Sequence, residues 1–149
     1  MYSHQISDIL TNDEYARKTF IGVFSADELN TLKPPRKRRF GLVVNTDPSN
    51  QPGRHWQSIF IDKDECNFFC SLDEQPTPDI LKFMHKYRRV TCNRNRQQKL
   101  SEVTCGGYCV FIQAMMARGY SFKTLCTIFD QIKNDDDFIR TYLKDTYNF

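Results

Sequence analysis

The fold of this chain is best predicted from the segment Gln98-Lys-Leu-Ser-Glu-Val-Thr-Cys105-Gly-Gly-Tyr-Cys-Val-Phe-Ile112. A cysteine and two glycines open an apolar run, which predicts a buried helix from Gly106 to Ala117. Gly119 is a suitable residue to end that helix. The first turn of a helix carries partial positive charge and N–H groups that favour a thiolate. Cys105 is therefore a candidate nucleophile.

Two other residues can complete a site around Cys105. The segment Gly53-Arg-His55-Trp56 introduces a predicted strand, and His55 could take the thiol proton and return it to a leaving amine. Gln98 lies seven residues before the cysteine and could donate its amide N–H to a developing oxyanion. A thiol at a helix start, a histidine beside a strand and an upstream amide together predict a cysteine-nucleophile hydrolase.

The remaining patterns predict an α+β chain with a small antiparallel or mixed sheet packed against helices. We expect one domain over residues 1–149. The apolar residues of Phe20–Phe24 form a short segment of their own, and the strands on either side of the turn at Lys63 are expected to form a hairpin. The predicted strands are Phe40–Asn45, His55–Asp62, Cys66–Ser71 and an edge strand at Val90–Cys92, and the other predicted helices are Ser7–Thr19, Asp79–Tyr87, Phe122–Lys133 and Asp135–Tyr147.

Composition narrows the class of protein. The N-terminus lacks the basic start and apolar run of a signal peptide, and no stretch approaches the ~20 apolar residues that span a bilayer. We therefore expect a protein that is neither secreted nor membrane-bound, with its six cysteines reduced. Two Cys-x3-Cys pairs, 66/70 and 105/109, would permit zinc, but their apolar neighbours favour buried free thiols. Accordingly, no metal and no cofactor are predicted.

Positive charge is concentrated in two stretches, although the net charge is only +3. Lys33–Arg39 carries five positive charges in seven residues, and Arg88–Lys99 forms the second stretch. Such runs can bind DNA through its phosphates without reading its sequence. The alternative is a solvated loop stiffened by Pro34-Pro35.

Several motifs occur in the order of one known family: Phe20-Ile-Gly-Val-Phe24, Leu42-Val-Val-Asn-Thr46, Gly53-Arg-His-Trp56, Cys66-Asn-Phe-Phe69, and Gln98 seven residues before Cys105-Gly with Cys109 in the following helix. From about Phe20 to Phe122 the chain resembles the adenovirus protease (adenain) family, which is related to the proteases that process ubiquitin-like proteins. The resemblance implies a papain-like or adenain-like cysteine protease fold, with the nucleophile at the N-terminus of a buried helix. It also implies that Cys105 is the nucleophile, His55 the general base and Gln98 the oxyanion donor.

The resemblance also implies a function, that of a viral cysteine endopeptidase. Such an enzyme would cleave capsid or core precursor proteins during virion maturation, and it would cut the chain after small residues such as Gly. Such an enzyme would be found in the virion and in the nucleus or cytoplasm of the host cell. DNA and a short peptide activator would be possible partners. Two alternatives remain: an isopeptidase for ubiquitin-like modifiers, and an inactive relative that binds nucleic acid or builds the virion.

The chain departs from the family pattern at one position. The family carries an acidic residue on the returning strand to orient the histidine, whereas this sequence has Cys70 there. A thiol is a weak hydrogen-bond partner for imidazole. Asp73 could take over this role, the protein could work as a Cys-His dyad, or it could be an inactive relative.

Overall fold

The computed structural model describes residues 1–47, 55–98 and 104–149. Its elements in chain order are α1 (Ser3–Asn12), a 3-10 turn (Ala16–Lys18), β1 (Phe20–Ser25), a second 3-10 turn (Ala26–Asn30), β2 (Arg39–Asn45), β3 (Trp56–Asp62), β4 (Glu65–Phe69), α2 (Pro78–Met84), β5 (Arg89–Cys92), α3 (Cys105–Ala117), α4 (Phe122–Gln131) and α5 (Asp135–Tyr147). This confirms the predicted α+β class.

The five strands form one mixed sheet in the order β1-β2-β3-β4-β5. The predicted hairpin is present, because β3 pairs antiparallel with β4, and β3 is antiparallel to β2 as well. The two outer pairs, β1 with β2 and β4 with β5, are parallel. A parallel pair needs a long connection, and the segments between these strands, one with a 3-10 turn and a basic loop and the other with α2, provide it.

Each face of the sheet covers its own apolar cluster, as the alternation along β3 predicts. Phe60 belongs to the cluster beneath α1, α3, α4 and α5. Ile59 and Ile61 belong to the cluster beneath α2 and the second 3-10 turn. The site described below lies where the α3 side of the sheet meets the N-terminal end of β3.

The helix α3 is fixed on the sheet by a buried polar contact. Gln113 is 1% exposed, and its Nε2 lies 2.9–3.1 Å from Leu42 O, Ser58 Oγ and Ile59 O, three acceptors that share its two N–H hydrogens. Because these acceptors lie on β2 and β3, the amide sets how far α3 can slide along the strands. The position of the first turn of α3 relative to β3 follows from that constraint.

The first helix begins and ends earlier than predicted. It spans Ser3–Asn12 instead of Ser7–Thr19, and a 3-10 turn follows. Asp13 Oδ1 accepts the backbone N–H groups of Tyr15 and Ala16 at 3.0 and 2.9 Å. An Asp that bonds to the backbone two and three residues ahead replaces the helical pattern with a turn, so the predicted helix is interrupted there. Within the part of the chain that the structure describes, no helix is long and apolar enough to cross a bilayer.

Candidate active site

Cys105 is the first residue of α3, directly after the N-cap residue Thr104. The start of this helix is held by Asp136, which is 2% exposed and lies in the first turn of α5. Thr104 Oγ1 donates to Asp136 Oδ1 at 2.6 Å, and the Tyr108 hydroxyl donates to the same oxygen at 3.0 Å. A buried carboxylate with two such partners fixes the position from which the Cys105 thiol projects.

The two glycines after Cys105 make room for the protein's own helices. A Cβ on Gly106 would lie 2.9 Å from Met1 Cβ, and one on Gly107 would lie 2.6 Å from Ile139 Cγ2. Both distances are too short for carbon atoms, so any larger residue would displace the N-terminal segment or α5. The Cys-Gly-Gly motif is therefore explained by packing within this chain.

The sulfur of Cys105 lies beside the N-terminal end of β3. Burial raises the pKa of the Cys105 thiol, while the nearby backbone N–H groups of Trp56 and Gly106 lower it. Trp56 directly follows His55 in the chain. The first turn of α3 and the residue before β3, which are fifty residues apart in the sequence, are thus neighbours in the fold.

His55 is 5% exposed, and its Nε2 lies 3.1 Å from Cys70 Sγ. Burial lowers the pKa of the imidazole, and the nearby charge of Glu74 raises it. The net direction favours the neutral ring, which is the form that can accept a proton. Because Cys70 contacts Nε2, the other ring nitrogen, Nδ1, is the one that remains for a second partner.

Cys70 is held firmly against His55. It is 1% exposed, and Asn93 bonds to both of its backbone groups: Asn93 Oδ1 accepts the Cys70 N–H at 2.9 Å, and Asn93 Nδ2 donates to Cys70 O at 2.7 Å. The Glu74 N–H donates to Cys70 Sγ at 3.3 Å. Burial raises the pKa of the Cys70 thiol. Cys70 therefore lies against the imidazole as a neutral thiol.

The acidic residue that acts on this pair is Glu74, not Asp73. A side-chain oxygen of Glu74 lies within 4.8 Å of the His55 and Cys70 ligand atoms. The charge of Asp73 acts instead on Cys92: burial raises the pKa of that thiol, and Asp73 raises it further. Asp73 has the left-handed backbone conformation, with φ of 54°, and the turn it makes brings the next residue, Glu74, towards the histidine. Glu74, rather than Asp73, is therefore the acidic residue whose charge acts on His55.

Gln98 is 3% exposed and is bound to the residue after Cys70. Ser71 Oγ donates to Gln98 Oε1 at 2.7 Å, and the Gln98 backbone N–H donates to Ser71 O at 2.9 Å. With Oε1 accepting from Ser71, the Nε2 end of the amide is the donor end. Two consecutive residues after β4 thus contact the candidate base and the candidate oxyanion donor.

Sequence reasoning did not identify Ser71, Glu74 or Asn93. No short motif contains them, since the contacts of Ser71 and Asn93 join positions that are 23 to 27 residues apart. A polar residue shortly after a β-strand is too common a pattern to indicate a site. The residues of the Gly53-Arg54 motif and of the Lys99–Val103 segment lie outside the described residues.

Comparison with solved structures identifies the same architecture. The crystal structure of the pS273R protease of ASFV superimposes with a TM-score of 0.72 at 19% identity, covering 95% of this chain and 64% of that one. A second crystal structure of that protease, with selenomethionine, gives a TM-score of 0.57 at 24% identity over 74% of this chain and 44% of its own. These similarities establish the fold that the sequence predicted.

Sequence comparison points to the same proteins. The cysteine protease S273R of an African swine fever virus isolate from Malawi is 29% identical over 60% of this chain and 39% of its own length. The protein from a Kenyan isolate, named SUMO-1 cysteine protease S273R, is 27% identical over 61% of this chain and 40% of its own. The chain spans about two fifths of the length of these relatives. No protein-family model matches it.

Proposed function

We propose that this chain is a viral cysteine endopeptidase in which Cys105 attacks a peptide carbonyl. The observation that carries the proposal is that the first turn of α3 and the start of β3 meet at Met1: Trp56 Nε1 donates to Met1 O at 3.0 Å, and Gly106 packs against Met1. Cys105, the first residue of α3, is thereby close to the residue that follows His55. The similarity to proteins named cysteine proteases supports the same activity.

In the proposed mechanism, the Cys105 thiol and the His55 imidazole both begin neutral. His55 takes the Cys105 proton as the sulfur approaches the carbonyl carbon. The thiolate adds to the carbonyl, whose oxygen becomes an anion stabilised by Gln98 Nε2 and by N–H groups at the start of α3. The imidazolium then gives its proton to the leaving amine, and the acyl group remains on sulfur. Water attacks this thioester with His55 as base, releasing the acid and restoring the Cys105 thiol.

The test is labelling with a peptide vinyl sulfone, which traps a nucleophilic thiol. We expect Cys105 to be modified rapidly near neutral pH, and we expect His55→Ala to slow this step by about 10²–10⁴-fold. Cys126 is the matched control because it is also half-buried and free. His85→Ala is the control for the histidine, since His85 is exposed. Labelling of Cys105 no faster than that of Cys126 would overturn the proposal.

Two classes of substrate are open to such an enzyme, and in both the bond to be cut follows small residues. One is a viral capsid or core precursor cut during virion maturation; the other is a ubiquitin-like modifier with a Gly-Gly tail. A relative is named SUMO-1 cysteine protease, and this name is the reason to test a ubiquitin-like modifier as a substrate. Incubation with a SUMO-1 precursor and with a peptide library distinguishes them: cleavage of the precursor at rates well above those of matched peptides supports the modifier.

An inactive relative that binds nucleic acid is the competing function, and one structural feature bears on it. Lys33, Arg36, Lys37 and Arg38 precede Arg39, which pairs with Asp62 at the end of β3 opposite His55. DNA bound there would not touch the thiol. We propose that DNA binding by this loop is independent of Cys105 and survives Cys105→Ala.

A further inference from the structure

Three side chains near the candidate active site offer three different ligand atoms at short range. His55 contributes a ring nitrogen, Cys70 its sulfur and Glu74 a carboxylate oxygen, and these atoms all lie within 4.8 Å of one another. His55 and Cys70 are buried, whereas Glu74 is exposed and lies on the solvent side. Nitrogen, sulfur and oxygen ligands in one cluster form a donor set that zinc accepts.

The geometry is close to that of a zinc site. Ligand atoms of a tetrahedral zinc ion, at 2.0–2.3 Å from the metal, lie about 3.5 Å apart. The His55 Nε2 to Cys70 Sγ distance of 3.1 Å is shorter by only about 0.4 Å. The exposed Glu74 side chain can turn to bring its carboxylate to the third position. A fourth position remains for water, as in sites with three protein ligands.

A buried amide nearby points independently to a ligand. Gln57 is fully buried, and its carboxamide faces the Cys70 thiol: burial raises the pKa of that thiol, and the nearby Gln57 amide partly offsets the rise. Neither Nε2 nor Oε1 of Gln57 has a hydrogen-bond partner of normal geometry within residues 1–47, 55–98 and 104–149. A buried amide without a well-formed hydrogen bond is costly, and a metal-bound thiolate or water would give it an acceptor or a donor.

We propose that His55 Nε2, Cys70 Sγ and the Glu74 carboxylate bind a divalent cation of the zinc class. Binding displaces one proton from the Cys70 thiol to solvent. It also fixes the imidazole with its remaining proton on Nδ1, because the metal occupies the Nε2 lone pair. A ring in that state has no lone pair with which to accept the Cys105 proton. The cation is therefore a reversible inhibitor, an effect that rests on the proposed protease function.

Titration with Co²⁺ tests binding without any need for activity. A thiolate ligand to cobalt gives a charge-transfer band in the near ultraviolet. We expect this band in the unmodified chain, in Cys105→Ser and in the control Cys66→Ser, which alters a buried cysteine on β4, four residues before Cys70. The band should be absent in Cys70→Ser, and Glu74→Gln should weaken binding by about tenfold or more.

Each outcome decides the proposal. Absence of the band in the unmodified chain, its persistence in Cys70→Ser, or its loss in Cys105→Ser would overturn it. Circular dichroism of each variant shows whether it folds, and Glu74→Gln, which changes only an exposed side chain, remains decisive if Cys70→Ser does not fold. Zn²⁺ should also slow vinyl sulfone labelling of Cys105, with recovery on adding a chelator. If Cys105 is never labelled, the protease proposal fails while the cobalt band still decides the metal site.

Discussion

Ser71 Oγ donates a hydrogen bond of 2.7 Å to Gln98 Oε1, and this contact sets which end of the amide can donate to a substrate. Both residues are buried, and the backbone of Gln98 is bound to Ser71 as well. An amide that could rotate would present oxygen or nitrogen to an oxyanion with similar ease. In the orientation that the structure shows, Ser71 holds Oε1 and leaves Nε2 as the donor end, which makes Ser71 a positioning residue for the proposed reaction.

Replacement of Ser71 should therefore affect the rate of acyl transfer more than substrate binding. We expect Ser71→Ala to lower kcat by about tenfold with little change in KM, which is less than the roughly 10²–10³-fold loss expected for Gln98→Ala. Peptide hydrolysis measured for both variants and for Ser71→Thr provides the comparison. Ser71→Thr keeps the hydroxyl and should retain most of the activity; an equal loss in Ser71→Ala and Ser71→Thr would contradict the positioning role.

Substitutions of Glu74 and of Asp73 should differ in their effect on kcat/KM. The Glu74 charge acts on His55 and stabilises the imidazolium that forms during proton transfer, whereas Asp73 acts on Cys92. We expect Glu74→Gln to reduce kcat/KM roughly fivefold, as about 1 kcal/mol of exposed charge interaction predicts. Asp73→Asn is the matched control and should leave kcat/KM nearly unchanged. The reverse order of effects would return the orienting role to Asp73.

The Asp13 carboxylate should stabilise the fold in a pH-dependent way. Arg118 Nη2 lies 3.0 Å from Asp13 Oδ2, and the Tyr147 hydroxyl donates to the same oxygen at 2.8 Å. Although burial raises the pKa of Asp13, these bonds outweigh burial and lower it. We expect Asp13→Asn to cost about 2 kcal/mol, less than for a fully buried pair because Arg118 is partly exposed.

The sign of the pH effect follows from the lowered pKa of Asp13. The stabilisation is present above the unfolded pKa of about 3.9 and is lost as the pH falls through the lower folded value. Urea unfolding at pH 7 and at successive values below pH 4 should show the difference between the unmodified chain and Asp13→Asn shrinking. Asp8→Asn, which alters an exposed residue of α1, is the control. A difference that is constant with pH would contradict this account.

In the basic stretch Lys33–Arg39, we expect only some of the positive side chains to bind DNA. Replacing Arg36, Lys37 and Arg38 with Gln should reduce the slope of log K against log salt by about 0.9 for each phosphate that these residues neutralise. Arg39 differs, because its guanidinium donates to Met116 O and lies 3.8 Å from Asp62. Arg39→Gln should therefore lower the Tm of the protein with a smaller effect on the salt slope. Equal salt slopes for the triple variant and the unmodified chain would exclude this loop as a DNA-binding surface.

Local signals in the sequence were enough to predict the fold class, the hairpin and the helix that begins beside Cys105, because apolar periodicity and glycine placement depend on neighbouring residues. The resemblance to the adenain family singled out Cys70 as a departure from its pattern, although the sequence placed it within the returning strand and the structure places it just after β4. Both ends of the first helix were predicted wrongly, and its C-terminal end depends on a turn that the Asp13 carboxylate makes with the backbone of Tyr15 and Ala16. The partners that hold this carboxylate, Arg118 and Tyr147, lie far along the chain, where no pattern of apolar residues indicates them.

The residues that surround the thiol became evident only from the tertiary structure. The Trp56 N–H beside Cys105, the Ser71 hydroxyl on Gln98 and the Glu74 charge near His55 join segments that are distant in sequence. Such contacts follow from strand register and from the position of α3, which Gln113 fixes. Local patterns carry no information on those distances, because the free energy that sets them comes from packing between elements and not within them.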